Sequence, residues 1–251
     1  MKYLISERQF NLLTEIGRQP GHLDWIPLNS FYSYMNRKIS RKTKSKLFKK
    51  FFEKIFDREI EEDEFFRDDV QEFFESPETS QWKEEFLTKD AISGFAYFVA
   101  KNYFGLEEGF GLNYIVKVGT ELRDDGEVYY FFDPQLKIFI GYIIIYPLEE
   151  HYEGFYKVGL SAVDENLIGT GYGIKMYQNV LTNVDYLMSD DNLYSGSYRI
   201  WKHTLPKYAN VWGLIETPKG GNLKRILPGK KVRTEKFDNF IASIKHSEIE
   251  V

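Results

Sequence analysis

Between Leu167 and Tyr177 the chain reads Leu167-Ile168-Gly169-Thr170-Gly171-Tyr172-Gly173-Ile174-Lys175-Met176-Tyr177, with glycine at 169, 171 and 173. Glycines at that spacing leave the backbone bare. Where such a run opens a helix, its first amide N–H groups lack intrahelical partners and sit at the positive end of the helix dipole. The chemistry this suits is the cradling of a phosphate or pyrophosphate. The same triplet also serves a tight strand-to-helix turn with no ligand, so its meaning depends on spacing and surroundings.

Spacing removes the familiar phosphate loops. The dinucleotide fingerprint G-x-G-x-x-G needs glycine at 174, which is isoleucine, and a Walker A loop needs G-K-[ST], whereas Gly173 is followed by Ile174, Lys175 and Met176. A kinase glycine-rich loop turns from strand to strand, but Ile174, Tyr177, Val180 and Leu181 recur at helical spacing. What remains is strand, G-x-G-x-G, helix.

The flanks supply elements to hold that turn. Residues 137–146 are β-branched and aromatic, Pro147 to Gly154 forms a polar turn, and Phe155 to Val163 reads as a second strand. Downstream, Val184 to Met188 reads as a short strand ending in Ser189-Asp190. Ser195 to Leu205 reads as a helix with Tyr198, Trp201 and Leu205 on one face, and Val211 to Ile215 as a further strand. Before the hairpin, Tyr114 to Val118 and Val128 to Phe132 read as neighbouring strands joined by the turn Arg123-Asp124-Asp125-Gly126.

This order over residues 127–230, with Gly171 and Gly173 at the two required small positions, resembles the GNAT family of N-acetyltransferases, whose loop reads Q/R-x-x-G-x-G/A between its fourth strand and third helix. The position that should be Gln or Arg is Ile168. The tract Ser189-Asp190, Ser195, Ile200-Trp201 and Leu205 is also similar to phage-encoded members. The resemblance implies an α+β fold: a mixed, mostly antiparallel sheet flanked by helices, with a helical N-terminal region at 1–105 and an acetyltransferase-like core with C-terminal tail at 106–251. It implies acetyl-coenzyme A as cofactor and a small-molecule or protein amine as acceptor. Backbone at Leu160, Ala162 and Val163 would hold the pantetheine arm and supply an oxyanion donor. Gly169, Thr170, Gly171, Tyr172, Gly173 and Ile174 would hold the pyrophosphate. The alternative is a non-catalytic binding or virion-associated protein that keeps the fold.

An amine must lose a proton before it attacks. Glu150, His151, Glu153, Asp190 and Asp191 fall near the expected cleft, and Asp190 is the leading candidate, although a carboxylate after a strand also serves to cap a turn. Many family members place a tyrosine on the fourth helix as acid for the departing thiolate, and Trp201 stands there instead. Indole cannot make that transfer. Tyr198 or Tyr208 supplies the phenol, or none is needed, or catalysis is lost; Tyr198, one turn before Trp201, is the leading candidate. The family's two helices between its first and second strands have no evident counterpart. Either helices between 45 and 104 substitute for them, or the first strand lies earlier, near Trp25 to Leu28.

Composition bounds these readings. Hydrophobic residues make up 43% of the 251 residues, which suits a globular chain of one or two domains. There is no cysteine, which excludes disulfides, thiolate catalysis and thiolate zinc sites. The histidines at 22, 151, 203 and 246 have no metal-ligand spacing. An EF-hand opened by Asp190 would need glycine at 195 and glutamate at 201, which are Ser195 and Trp201. No metal site is expected. No signal peptide or membrane span is visible, so the expected location is the cytoplasm.

The N-terminal third is helical in pattern. Leu47, Phe48, Phe51, Phe52, Ile55 and Phe56 form one stripe, Phe65, Phe66, Val70, Phe73 and Phe74 another before Pro77, and a third helix is expected from Ala91 to Tyr103, closed by Gly105. Residues 37–58 hold ten Lys or Arg against Glu53 and Asp57, while residues 59–79 hold ten Asp or Glu against Arg67. The lysines read as the solvated face of an amphipathic helix. An adjacent acidic block within a Debye length of roughly 8 Å argues against nucleic acid as the partner.

Overall fold

A computed structural model describes residues 26–40, positions 43, 46, 47, 50, 51, 53 and 54, and residues 89–120, 124–148, 154–190, 193, 195–217, 220–229 and 237–249. The expected helix over 65–74, the acidic block and the candidates Glu150, His151, Glu153 and Asp191 lie outside these residues.

The sheet is built around strands that read as almost continuous apolar runs, the pattern of strands buried on both faces. Strands β1 (Glu107–Gly109), β2 (Leu112–Val118), β3 (Glu127–Asp133), β4 (Ile138–Pro147) and β5 (Phe155–Val163) pair antiparallel in succession. After β5 come helix α3 (Tyr172–Asn183) and strand β6 (Tyr186–Met188), then α4 (Ser195–Arg199), β7 (Asn210–Thr217), β8 (Gly220–Ile226) and β9 (Asn239–Ser243). The nine strands form one sheet in the order β1-β2-β3-β4-β5-β6-β9-β7-β8, and the β5–β6 pair is parallel. The fold is therefore mixed α+β with a mostly antiparallel sheet, and the element order from 127 to 217 is the expected one. Strands β8 and β9 were not anticipated.

Each face of the sheet carries its own helical layer. Tyr129 and Phe131 of β3 and Ile140, Ile143 and Ile145 of β4 join Tyr177, Val180 and Leu181 of α3 in one buried cluster. Val128, Tyr130, Phe132, Phe139, Tyr142 and Ile144 face the other way. They pack on Leu28, Phe31 and Tyr34 of α1 (Ile26–Lys38) and on Ala96 and Tyr97 of α2 (Lys89–Val99). Residues 26–28 open a helix, so no strand starts there. The expected third helix runs from Lys89 to Val99, widens into a π turn at Ala100–Phe104 and stops at Gly105, whose φ is 74°. Between 43 and 54 the described positions are helical, with Phe51 buried against Phe95 and Phe98 while Lys46, Lys50 and Lys54 are exposed. Among those positions the lysines do form a solvated face.

Two features of β5 open the sheet beside it. Opposite Ile144 and Ile145 the register slips so that Leu160 and Val158 are the partners, leaving Gly159 as the extra residue of a β-bulge. The bulge resets the alternation: Val158 faces the α3 cluster, but Leu160 and Ala162 face the α1–α2 cluster. Second, the parallel ladder with β6 covers Phe155, Tyr156 and Lys157 alone. Beyond Met188 the chain turns toward β9, because Ser189 gives its N–H to the Phe240 carbonyl at 2.8 Å and its hydroxyl accepts the Phe240 N–H at 3.0 Å. Residues 158–163 consequently have one edge with no ladder partner among the described residues.

Candidate functional site

The open edge of β5 leads directly into the glycine turn. Asp164 accepts the Asn166 N–H at 3.1 Å and caps a short 3-10 turn, Glu165–Leu167, after which Ile168 is extended and 70% exposed. Gly169 and Gly171 take φ of 85° and 92°, the left-handed region that favours glycine. Gly171 is the N-cap of α3. A Cβ added at Gly169 or Gly171 would meet nothing within 4 Å, so the space in front of both is open. Among the described residues the N–H groups of Gly169, Gly171, Tyr172, Gly173 and Ile174 have no protein acceptor. These are amides that the sequence resemblance assigned to a pyrophosphate. Thr170 differs, since its N–H and its hydroxyl both go to the Leu167 carbonyl, at 3.3 and 2.5 Å.

Gly173 has another task. A Cβ there would lie 3.1 Å from Ile200 Cδ1 and 3.8 Å from Val163 Cγ2, so the first turn of α3 packs against the end of β5 and the π turn after α4. Leu160 and Ala162 offer the cleft only their backbone, since their side chains belong to the opposite layer. Val163 lies on the α3 side.

A clamp that the sequence reading did not identify orients the turn. Tyr172 donates its hydroxyl to Asp133 Oδ2 at 2.6 Å, while Asp133 Oδ1 accepts the N–H groups of Gln135 and Leu136 at 2.7 and 2.8 Å. The Asp133-Pro134 pair is a turn signal that could have located half of this arrangement. Burial opposes ionisation of Asp133, but the Tyr172 hydroxyl, the two amides and the charge of Lys175 outweigh it and hold the carboxyl below its ordinary range. Burial and the bond to Asp133 push the Tyr172 phenol up to about 12. Tyr172→Phe should cost about 1.5–2 kcal/mol at neutral pH, the worth of a hydrogen bond to a charged group. Because the folded-state value of Asp133 is depressed, its contribution is complete above about pH 4 and is lost as pH falls through the folded value. Urea melts should therefore separate wild type and Tyr172→Phe at pH 7 and bring them closer as pH falls below the ordinary carboxylate range.

The expected acid–base residues fall around the end of β6. Asp190 follows the buried Ser189, and its charge acts on the Tyr177 phenol. Tyr198 packs edge-on against Phe240, with ring centroids 5.3 Å apart, and its hydroxyl accepts from Lys202 Nζ at 3.2 Å. Tyr208 is 55% exposed. Trp201 is fully buried, between Tyr177 and Phe240. Tyr177 itself reads in sequence as one more apolar position of α3. In the structure its hydroxyl lies 2.8 Å from that of Ser161 on β5.

No protein-family profile and no curated protein matches the chain. Among solved structures, a Bacteroides thetaiotaomicron protein assigned to the GNAT family of acetyltransferases aligns at 14% identity with a TM-score of 0.29, over 47% of this chain and 60% of that one. A likeness so slight bears on neither fold nor chemistry. The chain spans 60% of that protein's length. The functional reading therefore rests on the cleft, the bulge and the turn. No described helix is long and apolar enough to cross a membrane.

Proposed function

We propose that this chain is an N-acyltransferase that moves an acetyl group from acetyl-coenzyme A to an amine. The observation that carries this reading is the parting of β5 from β6 after Lys157, which opens the bulged half of β5 beside a turn whose amides have no protein acceptor. Acetyl-coenzyme A supplies an activated acyl group as its thioester. The chain supplies the rest: the backbone of Leu160 to Val163 for the pantetheine arm, the amides around Gly169 to Ile174 for the pyrophosphate, and Asp190 as base for the amine. A backbone donor to the developing oxyanion is worth about 100- to 1,000-fold in rate. These roles need few side chains, so Ile168 in place of Gln or Arg removes one contact and leaves the cradle.

The fit to the cofactor is supported by the free space before Gly169 and Gly171. A ligand present at 100 times its dissociation constant stabilises the fold by about 2.7 kcal/mol. Acetyl-coenzyme A in a thermal-shift titration should produce a saturating rise of that size; a flat titration would remove the cofactor from the reading. The second reading, a non-catalytic binding or virion-associated protein, draws on the burial of Trp201 where a catalytic phenol is expected. Binding without transfer to any of a broad panel of amines would favour it.

A further inference from the structure

Behind the open half of β5 runs a short polar chain. Ser161 is partly exposed, and its hydroxyl lies 2.8 Å from that of Tyr177, where either oxygen by itself could be the donor. Tyr177 is 3% exposed. Trp201 meets it edge-on at 5.3 Å between ring centroids. The Trp201 Nε1 is buried and has no hydrogen-bond partner among the described residues.

Chemistry gives this chain a direction. The Tyr177 hydroxyl is buried, a buried phenol proton without an acceptor is costly, and the Ser161 oxygen at 2.8 Å is its hydrogen-bond partner among the described residues, so the phenol donates to Ser161. Ser161 then keeps its own proton available to a further acceptor, since among the described residues its side chain has no partner other than Tyr177. Burial, reinforced by the charge of Asp190, raises the Tyr177 phenol and keeps it protonated. The device therefore presents a fixed donor, with the proton staying on Ser161.

We propose that Ser161, oriented by Tyr177, donates a hydrogen bond to the sulfur of the acyl carrier and stands in for the phenol whose expected position Trp201 occupies. This rests on the reading that acetyl-coenzyme A lies along β5. In the transfer the amine nitrogen bonds to the acyl carbon and the C–S bond breaks, its electron pair going to sulfur. The amine proton passes to Asp190 and on to solvent, and the thiolate later takes one proton from solvent. Ser161 stabilises the negative sulfur throughout without losing its proton. Tyr177 is a positioning residue.

Coenzyme A itself, in its thiol form, is the probe. Thiolate absorbance in the ultraviolet, followed against pH in the complex, should place the bound thiol roughly one unit below the free thiol. Ser161→Ala should abolish that shift while coenzyme A affinity changes less than about threefold, and Ser161→Thr should retain it. Tyr177→Phe should reduce it. Because Tyr177→Phe alters the core, Ser161→Ala and its threonine counterpart carry the test. If wild type and Ser161→Ala bind coenzyme A and titrate alike, the assignment to Ser161 is wrong and the cofactor reading stands. If wild type does not bind coenzyme A, both fall.

Discussion

Gly171→Val should weaken coenzyme A binding by at least about 100-fold while costing the fold only about 1–3 kcal/mol, the penalty for a strained left-handed residue. The two effects have separate causes. At φ 92° any L-residue is strained, and a β-branched one most of all. Yet a Cβ there would touch nothing within 4 Å, so the variant meets no packing clash. On the proposed reading, its methyl groups would occupy space that a phosphate needs to reach the amides of α3. Gly173→Ala is the matched control. Its backbone is helical, and its Cβ faces the flexible tip of Ile200 at 3.1 Å. Helix propensity favours alanine by about 0.5–1 kcal/mol, against a small adjustment of Ile200. Calorimetric titration beside urea melts should find Gly171→Val folded but unable to bind, and Gly173→Ala close to wild type in both. Normal binding by Gly171→Val would move the site elsewhere.

Gly141→Ala should destabilise the fold more than alanine at Gly159 or Gly173, by about 3 kcal/mol or more, the upper range for overpacking. Gly141 lies in β4 opposite Val163, and a Cβ there would come to 2.2 Å from the Ala162 carbonyl oxygen and 3.0 Å from Val163 Cα. Both are backbone atoms of β5, so no side-chain rotation relieves the contact and the strand must move. Since Asp164 N–H bonds the Ile140 carbonyl at 2.8 Å, that movement reaches the start of the glycine turn. Gly159→Ala offers a comparison: its Cβ would meet Tyr146 Cε2 at 2.3 Å, part of a side chain, where more room for adjustment exists. Denaturant midpoints should rank wild type above Gly159→Ala and Gly159→Ala above Gly141→Ala. The Gly141 variant should also lose affinity for coenzyme A. A Gly141→Ala protein with wild-type stability would show that β4 and β5 are not held as tightly as these distances require.

Much of the frame was legible because it depends on local periodicity. The β-branched run 138–145, the helical spacing of Ile174, Tyr177 and Val180, and the positions of Gly169 and Gly171 each report on a few neighbouring residues. The readings that missed involved partners distant in sequence. The alternative of an early first strand near Trp25 to Leu28 fails from Ile26 onward, where the chain is helical, because Leu28 and Phe31 find their burial on the far face of the sheet. Tyr177 looked like a core residue, and its hydroxyl acquires meaning only beside Ser161. For Tyr198, the expected phenol, the structure adds a hydrogen bond from Lys202 and an edge-on contact with Phe240, about forty residues away in sequence, which spacing along one helix does not reveal.

The sequence by itself determined that a bare, glycine-lined turn follows a strand and opens a helix, since φ preferences and hydrophobic spacing are properties of short segments. Only the tertiary structure decided whether anything could reach that turn. The splay of β5 from β6 depends on Ser189 bonding the backbone of Phe240, and the orientation of the turn on Tyr172 reaching Asp133. Both are hydrogen bonds between residues some 40 to 50 positions apart. Their geometry comes from how the sheet brings those segments together, and no local pattern encodes it.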